Sequence, residues 1–180
     1  MSKKIDNMMN IFIENPHRRY NIREIGRMLK LSPTTCSKYL NGFARKGILK
    51  KERERNLVLF SADTENRDYK DLKIHLNIRG LRSSGLISFI ERELNYPEVI
   101  ILFGSFSKGE NTKESDVDLF VLSESKRKLD MSRFESRIGA RIQMFLHNHK
   151  EVEDMKRSNK ELLNNIINGL RLSGFFEAFK

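Results

Sequence analysis

Apolar positions change their spacing twice along the chain. In "NIREIGRML", Ile22, Ile25, Met28 and Leu29 recur at helical spacing behind Asn21, and Glu24 stands three residues past that asparagine, a capping-box pattern. Ser32 and Pro33 predict the start of a second helix: serine accepts an orphan N–H, and proline loses nothing in a first turn. That helix is predicted to run to about Lys46, with Cys36, Leu40, Phe43 and Gly47 on one face and Thr34, Lys38, Asn41 and Arg45 on another. After Gly47 the period falls to two, and "ILKKERE" and "NLVLFSA" predict a hairpin joined at Arg55-Asn56.

Residues 63–95 are charged and helix-compatible, with breaks at Gly80 and at Ser83-Ser84-Gly85, so two helices are expected there. Leu86, Ile87, Phe89, Ile90 and Leu94 give the second a packing face. Beyond them, "EVIILFGS" reads as an apolar strand ending in glycine and serine, and "SDVDLFVL" as a second strand. The second strand carries Asp116 and Asp118 on one face and Val117, Leu119 and Val121 on the other. A third strand, "ARIQMFLH", alternates Arg141, Gln143 and Phe145 onto one side. The tail "SNKELLNNIINGLRLSGFFEAF" is predicted as a helix that caps the sheet or meets a second subunit. Its stripe comprises Leu162, Leu163, Ile166, Ile167, Leu170, Phe175, Phe176 and Phe179.

Composition narrows the class. At 180 residues and 38% hydrophobic content, two small domains fit better than one large core. No apolar run approaches the roughly 18 residues of a membrane span, and "MSKKIDNMMNIFIENP" lacks the features of a secretory signal, so a cytoplasmic protein with no membrane partner is expected. The single cysteine, Cys36, excludes an internal disulfide framework and a thiolate-rich zinc site. Charge is unevenly spread. Residues 1–62 hold 14 Lys+Arg against 5 Asp+Glu, whereas the remainder is nearly balanced. Such a segment is an electrostatic footprint for a polyanion, with nucleic acid the leading candidate.

From about Ile5 to Ala62, the order helix, short turn, helix, basic hairpin resembles a winged helix-turn-helix domain. The resemblance implies that the second helix enters the DNA major groove and the hairpin touches the backbone. Thr34, Thr35, Ser37, Lys38, Asn41 and Arg45 then become candidate base or phosphate contacts, and Lys50, Lys51, Arg53 and Arg55 candidate backbone contacts. A two-fold homodimer is the usual way for such a domain to reach adjacent half-sites. The competing reading is an interaction or dimerisation domain whose charges are merely solvated.

Two carboxylates on one strand face repel, raise each other's pKa and lower stability. A hard divalent cation between them reverses the sign. The preceding Gly104-Ser105 turn offers small side chains and N–H groups where a phosphate can approach. "GSFSKGENTKESDVDL" has the form Gly-Ser, ten residues, Asp-x-Asp, and resembles the signature of the DNA polymerase β-type nucleotidyltransferase superfamily, close to its minimal branch. The resemblance implies that Gly104 and Ser105 contact a nucleoside triphosphate, that Lys108 assists the phosphates, and that Asp116 and Asp118 are catalytic and hold Mg²⁺ or Mn²⁺. The implied reaction transfers NMP from NTP to a hydroxyl acceptor, with a partner protein a reasonable acceptor.

One position departs from the pattern. Where the superfamily carries a third acid on a later strand, element order places Gln143, which offers an oxygen to a metal but takes no proton. Three explanations stand: chemistry with two acids; a borrowed group such as Glu110, Glu124 or a histidine; or a regulator or antitoxin-like protein that kept the fold without the chemistry. His147 and His149 alternate as a His-x-His pair, read mainly as surface residues where strand gives way to helix. The expected class is α+β: a winged helix-turn-helix at 1–62, a helical linker at 63–95, and at 96–180 a small mixed-sheet nucleotidyltransferase fold flanked by helices.

Overall fold

A computed structural model describes residues 3–177. The chain divides into two compact units, Met1–Lys73 and Ile74–Lys180. The class is α+β, with a three-stranded antiparallel sheet in the first unit and a four-stranded mixed sheet in the second.

In the first unit the elements are α1 (Lys3–Glu14), β1 (Tyr20–Asn21), α2 (Ile22–Leu29), α3 (Pro33–Arg45), β2 (Leu49–Glu54) and β3 (Leu57–Ala62). The caps lie where the sequence predicts them. The Asn21 side chain accepts from Glu24 N at 2.9 Å, and Ser32 Oγ accepts from Thr35 N at 3.2 Å with Pro33 as the first helical residue. Helix α2 ends on Lys30 in the left-handed region (φ 54°), a sharp stop that lets α3 begin three residues later. Ile25, Cys36 and Leu40 are fully buried, as are Met8, Met9, Phe12, Tyr20 and Phe60, whereas Met28 of the predicted α2 stripe is exposed (52%) and Ile22, Leu29 and Phe43 are half-buried. Phe12 meets Tyr20 edge to face at 5.4 Å. Strands β2 and β3 form the expected hairpin, with Glu54 opposite Leu57 and Arg55 at positive φ (51°) in the turn. The sheet order is β1-β3-β2.

Helix α4 (Arg67–Ser83) runs through the division between the units. Near its start the buried Tyr69 donates from Oη to Phe12 O at 3.3 Å. Burial pushes the Tyr69 phenol up to about 12. The expected break at Gly80 does not occur. Gly80 lies inside α4, where its lack of a side chain costs only helix propensity, roughly 1 kcal/mol, and the interruption comes solely at Ser84-Gly85. Ser84 Oγ donates to Leu81 O and accepts from Leu86 N, bridging the end of α4 to α5 (Leu86–Glu93).

The second unit continues with β4 (Val99–Phe103), α6 (Gly104–Lys108), β5 (Val117–Leu122), α7 (Ser132–Ile138), β6 (Ile142–His147), α8 (His149–Ser158), α9 (Lys160–Ile167) and β7 (Leu170–Gly174). The sheet order is β6-β5-β4-β7, with β5 and β6 parallel and the other pairs antiparallel. Alternation along β5 sorts its two faces. Val117, Leu119 and Val121 join Leu81, Leu86, Ile87, Ile90, Phe106 and Phe134 in one core, under α4 to α7. Phe120 and Leu122 face the other way and meet Val152, Met155, Leu163 and Ile166 of α8 and α9. Each buried apolar side chain of this size contributes about 1.5–3 kcal/mol relative to exposure.

The tail departs from expectation. The chain leaves α9 at Gly169 and returns as β7 beside β4, so Leu170 lies on a strand and not on a helix stripe. Gly169 permits this because a Cβ there would sit 2.6 Å from both Ile101 Cγ2 and Leu102 O. Phe176 packs against Phe120 at 5.6 Å, Phe175 is exposed, and Phe179 lies outside the described residues. No helix among the described residues is long and apolar enough to cross a membrane.

Candidate active site and candidate nucleic-acid interface

The carboxylate pair stands at one end of the mixed sheet. Asp118, the second residue of β5, pairs with Phe103 of β4 on one side and with Gln143 of β6 on the other. Cross-strand partners share a sheet face, so Asp118, Gln143 and Phe103 belong to the side that α8 and α9 cover farther along. At this end Phe103 meets Phe145 edge to face at 5.2 Å, making an aromatic floor, while Asp118 is half-buried and Gln143 exposed. Burial, and after it the nearby Asp116 charge, push the Asp118 carboxyl above its usual range. The repulsion expected from the sequence is thus expressed in the fold.

Gly104 is the other half of this arrangement. It follows β4 directly, has φ 68°, and lies so close to Asp118 that a Cβ would collide with Oδ2. Glycine adopts this turn without strain and leaves the carboxylate its space. The turn is held on several sides: Ser107 Oγ donates to Gly104 O at 2.8 Å, and Glu110 N donates to Ser105 O at 3.0 Å. Asn77 of α4 donates from Nδ2 to Phe106 O at 3.0 Å and to Asn111 Oδ1 at 2.9 Å. Lys108 is exposed at the end of α6, one helical turn past Gly104.

A metal is tested by the donor set. Among the described residues no group of three or more His, Cys, Asp or Glu side chains is placed to hold one. Asp116 and Asp118 supply two hard carboxylates and Gln143 an amide oxygen. This fits a magnesium ion that draws its remaining ligands from water and phosphate, and does not fit an all-protein cage. Of the groups considered as substitutes for a third acid, His147 pairs with Leu122 at the opposite end of β5, four residues and about 13 Å along the ladder from the Asp118–Gln143 pair at 3.3–3.4 Å per residue, and Glu124 and His149 lie beyond that end. His147 stacks on Phe120 at 5.8 Å, and His149 Nε2 is 2.8 Å from Glu98 Oε2, so the His-x-His pair is split between two sets of neighbours. Asn148, between them, caps α8 in a capping box with Glu151.

In the first unit, α3 and β2 present the predicted polar face. Ser37, Lys38, Asn41, Ala44, Arg45 and Lys51 line one surface depression. Lys51 Nζ donates to Asn41 Oδ1 at 2.7 Å, and Asn41 Nδ2 donates to Ser37 O at 2.8 Å, which ties hairpin to helix. Thr34 is exposed, and Thr35 shares its hydroxyl with Ser32 in the cap, 2.8 Å apart. Alternation along β2 separates the charges. Lys51 and Arg53 lie on the side of buried Leu49, toward α3, while Lys50, Glu52 and Glu54 lie on the other. On that far side Arg19 Nη1 is 3.1 Å from Glu54 and 3.6 Å from Glu52, and Lys50 Nζ is 3.5 Å from Asp63. Arg55 occupies the hairpin turn. A second depression, lined by Arg23, Arg27 and Lys30 with Gly26, Leu31 and Pro33, adds basic groups that the sequence pattern did not single out.

Among the residues that hold the Gly104 turn, Asn77 is the least visible in sequence, since it sits in a charged helix with nothing to mark it.

No curated protein matches the chain. Three solved structures share part of its shape at low similarity. One is a possible transcriptional regulator from Methanosarcina mazei Go1 (17% identity, 53% of this chain and 78% of that one, TM-score 0.36). Another is Sso10a-2, a DNA-binding protein from Sulfolobus solfataricus (16% identity, 52% and 93%, TM-score 0.37). A third is a mutant of ZitR from Lactococcus lactis in complex with DNA (16% identity, 53% and 61%, TM-score 0.36). Residues 85–172, which contain β4, the Gly104-Ser105 turn, β5 and β6, match the domain family described as Polymerase beta, Nucleotidyltransferase.

Proposed function

We propose that the second unit binds a magnesium nucleotide at Gly104, Ser105, Asp116 and Asp118, that it transfers a nucleoside monophosphate to an acceptor hydroxyl, and that the first unit is a winged helix that binds DNA. The observation that carries the transferase reading is the close approach of Gly104, at positive φ, to Asp118, a carboxylate whose pKa its surroundings raise, inside the matched domain. In the reaction, the acceptor oxygen forms a bond to the α-phosphorus, the bond from that phosphorus to the β-phosphate bridging oxygen breaks, and pyrophosphate leaves. The hydroxyl proton passes to water, because Gln143 cannot take it. When bound, magnesium supplies positive charge against the carboxylates and the phosphates. The protein's own contribution is positioning, which is most of what phosphoryl transfer asks of it. Gly104 and Ser105 receive the phosphates at close range, Lys108 adds a cation, and Asn77 and Ser107 hold the turn. A partner protein is the acceptor class favoured by the small size of the unit.

In the first unit, Lys38, Asn41, Arg45, Lys51 and Arg53 on the shared α3–β2 face are the leading DNA contacts, joined by Thr34, Thr35, Ser37 and Arg55. Lys50 faces away and contributes through the backbone side of the hairpin. A homodimer would place two such faces on adjacent half-sites.

A second reading is favoured by Gln143 beside Asp118: a DNA-binding regulator or antitoxin-like protein whose nucleotidyltransferase unit binds nucleotide without turning it over. One experiment separates the two. The protein is incubated with labelled nucleoside triphosphates and Mg²⁺ or Mn²⁺, with and without cell extract, beside Asp116→Ala and Asp118→Ala. Label transfer that disappears in both variants supports the transferase. Absence of transfer under every condition, with nucleotide and DNA binding intact, supports the regulator.

A further inference from the structure

The parallel ladder between β5 and β6 opens at the pair Val117–Ile142. Val117 N donates to Arg141 O at 2.8 Å, in line with the pairs Val117–Ile142 and Asp118–Gln143. That bond sets the Arg141 carbonyl against the Asp116–Val117 peptide, and the alternation that puts Gln143 and Phe145 on the Asp118 face assigns Arg141 to the same side. Arg141 is exposed, and among the described residues neither it nor either aspartate makes an ion pair. The guanidinium therefore stays beyond ion-pairing distance of both carboxylates. A free arginine at the edge of two carboxylates is an unusual choice if the face serves a metal alone, because its charge opposes cation binding. It suits a ligand that brings anionic oxygens of its own, since the planar fork of arginine matches phosphate in a bidentate manner.

We infer that Arg141 is a binding residue for the phosphate chain of the nucleotide, so that this site holds phosphoryl oxygens through a side chain as well as through the Gly104-Ser105 turn. The inference rests on the nucleotide-binding reading of the site and goes beyond it by assigning the phosphates a partner on β6, a strand whose usual acid is absent here. The site thus exchanges part of a metal cage for a direct anion contact.

Calorimetry on the full chain tests this, with ATP, tripolyphosphate and adenosine as probes, in Mg²⁺ and again in EDTA. Arg141→Ala is expected to weaken ATP and tripolyphosphate by roughly tenfold or more in both conditions, the scale of losing a charge-assisted hydrogen bond, and to leave adenosine unchanged. Arg141→Lys is expected to recover part of that affinity, and Arg157→Ala, a surface control, to bind as the native chain does. Thermal melting of each variant separates misfolding from a specific binding defect. ATP affinity equal to that of the native chain in a folded Arg141→Ala variant overturns the inference while leaving nucleotide binding intact. So does tighter Mn²⁺ binding without a change for phosphates, which would make Arg141 a neutralising partner of Asp116. Failure of the native chain to bind ATP or tripolyphosphate at all overturns the site reading and this inference together.

Discussion

Gln143 lies directly across the β5–β6 ladder from Asp118, on the same sheet face, so that a half-buried carboxylate whose pKa is raised has an amide for its nearest strand neighbour. An acid at that position would add a third like charge to a pair that already repels. The amide avoids that added repulsion, and on the proposed reading it would leave a bound metal to draw the rest of its ligands from water and phosphate.

Replacing Gln143 by Asp is expected to tighten Mn²⁺ binding by roughly tenfold or more, since a full charge is added within a few ångströms of the ion. The same change is expected to lower the melting temperature in EDTA and restore it with metal. Paired calorimetry and thermal melts check both halves.

Gly104→Ala is expected to cost about 1–2 kcal/mol for a side chain at positive φ, and more because the new Cβ meets Asp118 Oδ2. Urea denaturation reads the loss. Adding Asp118→Gly to Gly104→Ala should return the part of it due to the collision and leave the backbone part.

Stability should also respond to pH through Asp118. Its folded pKa is raised, so the unfolded chain releases this proton first. The stability it supports is complete below the ordinary carboxylate value of 3.8 and is lost as pH rises through the folded value. Melts in EDTA from about pH 4 to about pH 7 should therefore fall less steeply for Asp118→Asn than for the native chain. The variant should be the more stable of the two at neutral pH.

On the DNA side, Lys51→Ala and Arg53→Ala should weaken binding more than Lys50→Ala, because alternation puts the first two on the α3 face and the third beside Asp63. Fluorescence anisotropy against a duplex, repeated across salt concentrations, should show affinity falling steeply with salt. Every side chain that neutralises one phosphate should, once replaced by alanine, lower the log–log slope by about 0.9.

The local chemistry of this fold was largely legible in advance. Asn21 and Ser32 marked their helices because cap geometry depends on a few neighbouring residues. The strand that carries Asp118, with Val117, Leu119 and Val121 on its other face, was legible because alternation on a strand has a fixed period. What depended on packing between residues far apart in sequence was not legible. Gly80 read as a break, although packing of α4 carries the helix through it. Leu170 read as part of a helix, although the close approach of Gly169 to Ile101 redirects the chain into β7. Asn77 had no signature at all, since its role comes from Phe106 and Asn111, about thirty residues later. The placing of Gln143 beside Asp118 followed from element order, whereas the backbone bond from Val117 N to Arg141 O is visible only in the fold.

The central claim is that Gly104 and the two aspartates form one magnesium-nucleotide site. Calorimetric titration of ATP with Mg²⁺ into the native chain, Asp116→Ala and Asp118→Ala tests it most directly. The expected result is saturable binding by the native chain that is weakened at least tenfold in each folded variant, with adenosine affinity little changed. Equal ATP binding by all three proteins, or none by the native chain, would contradict the claim.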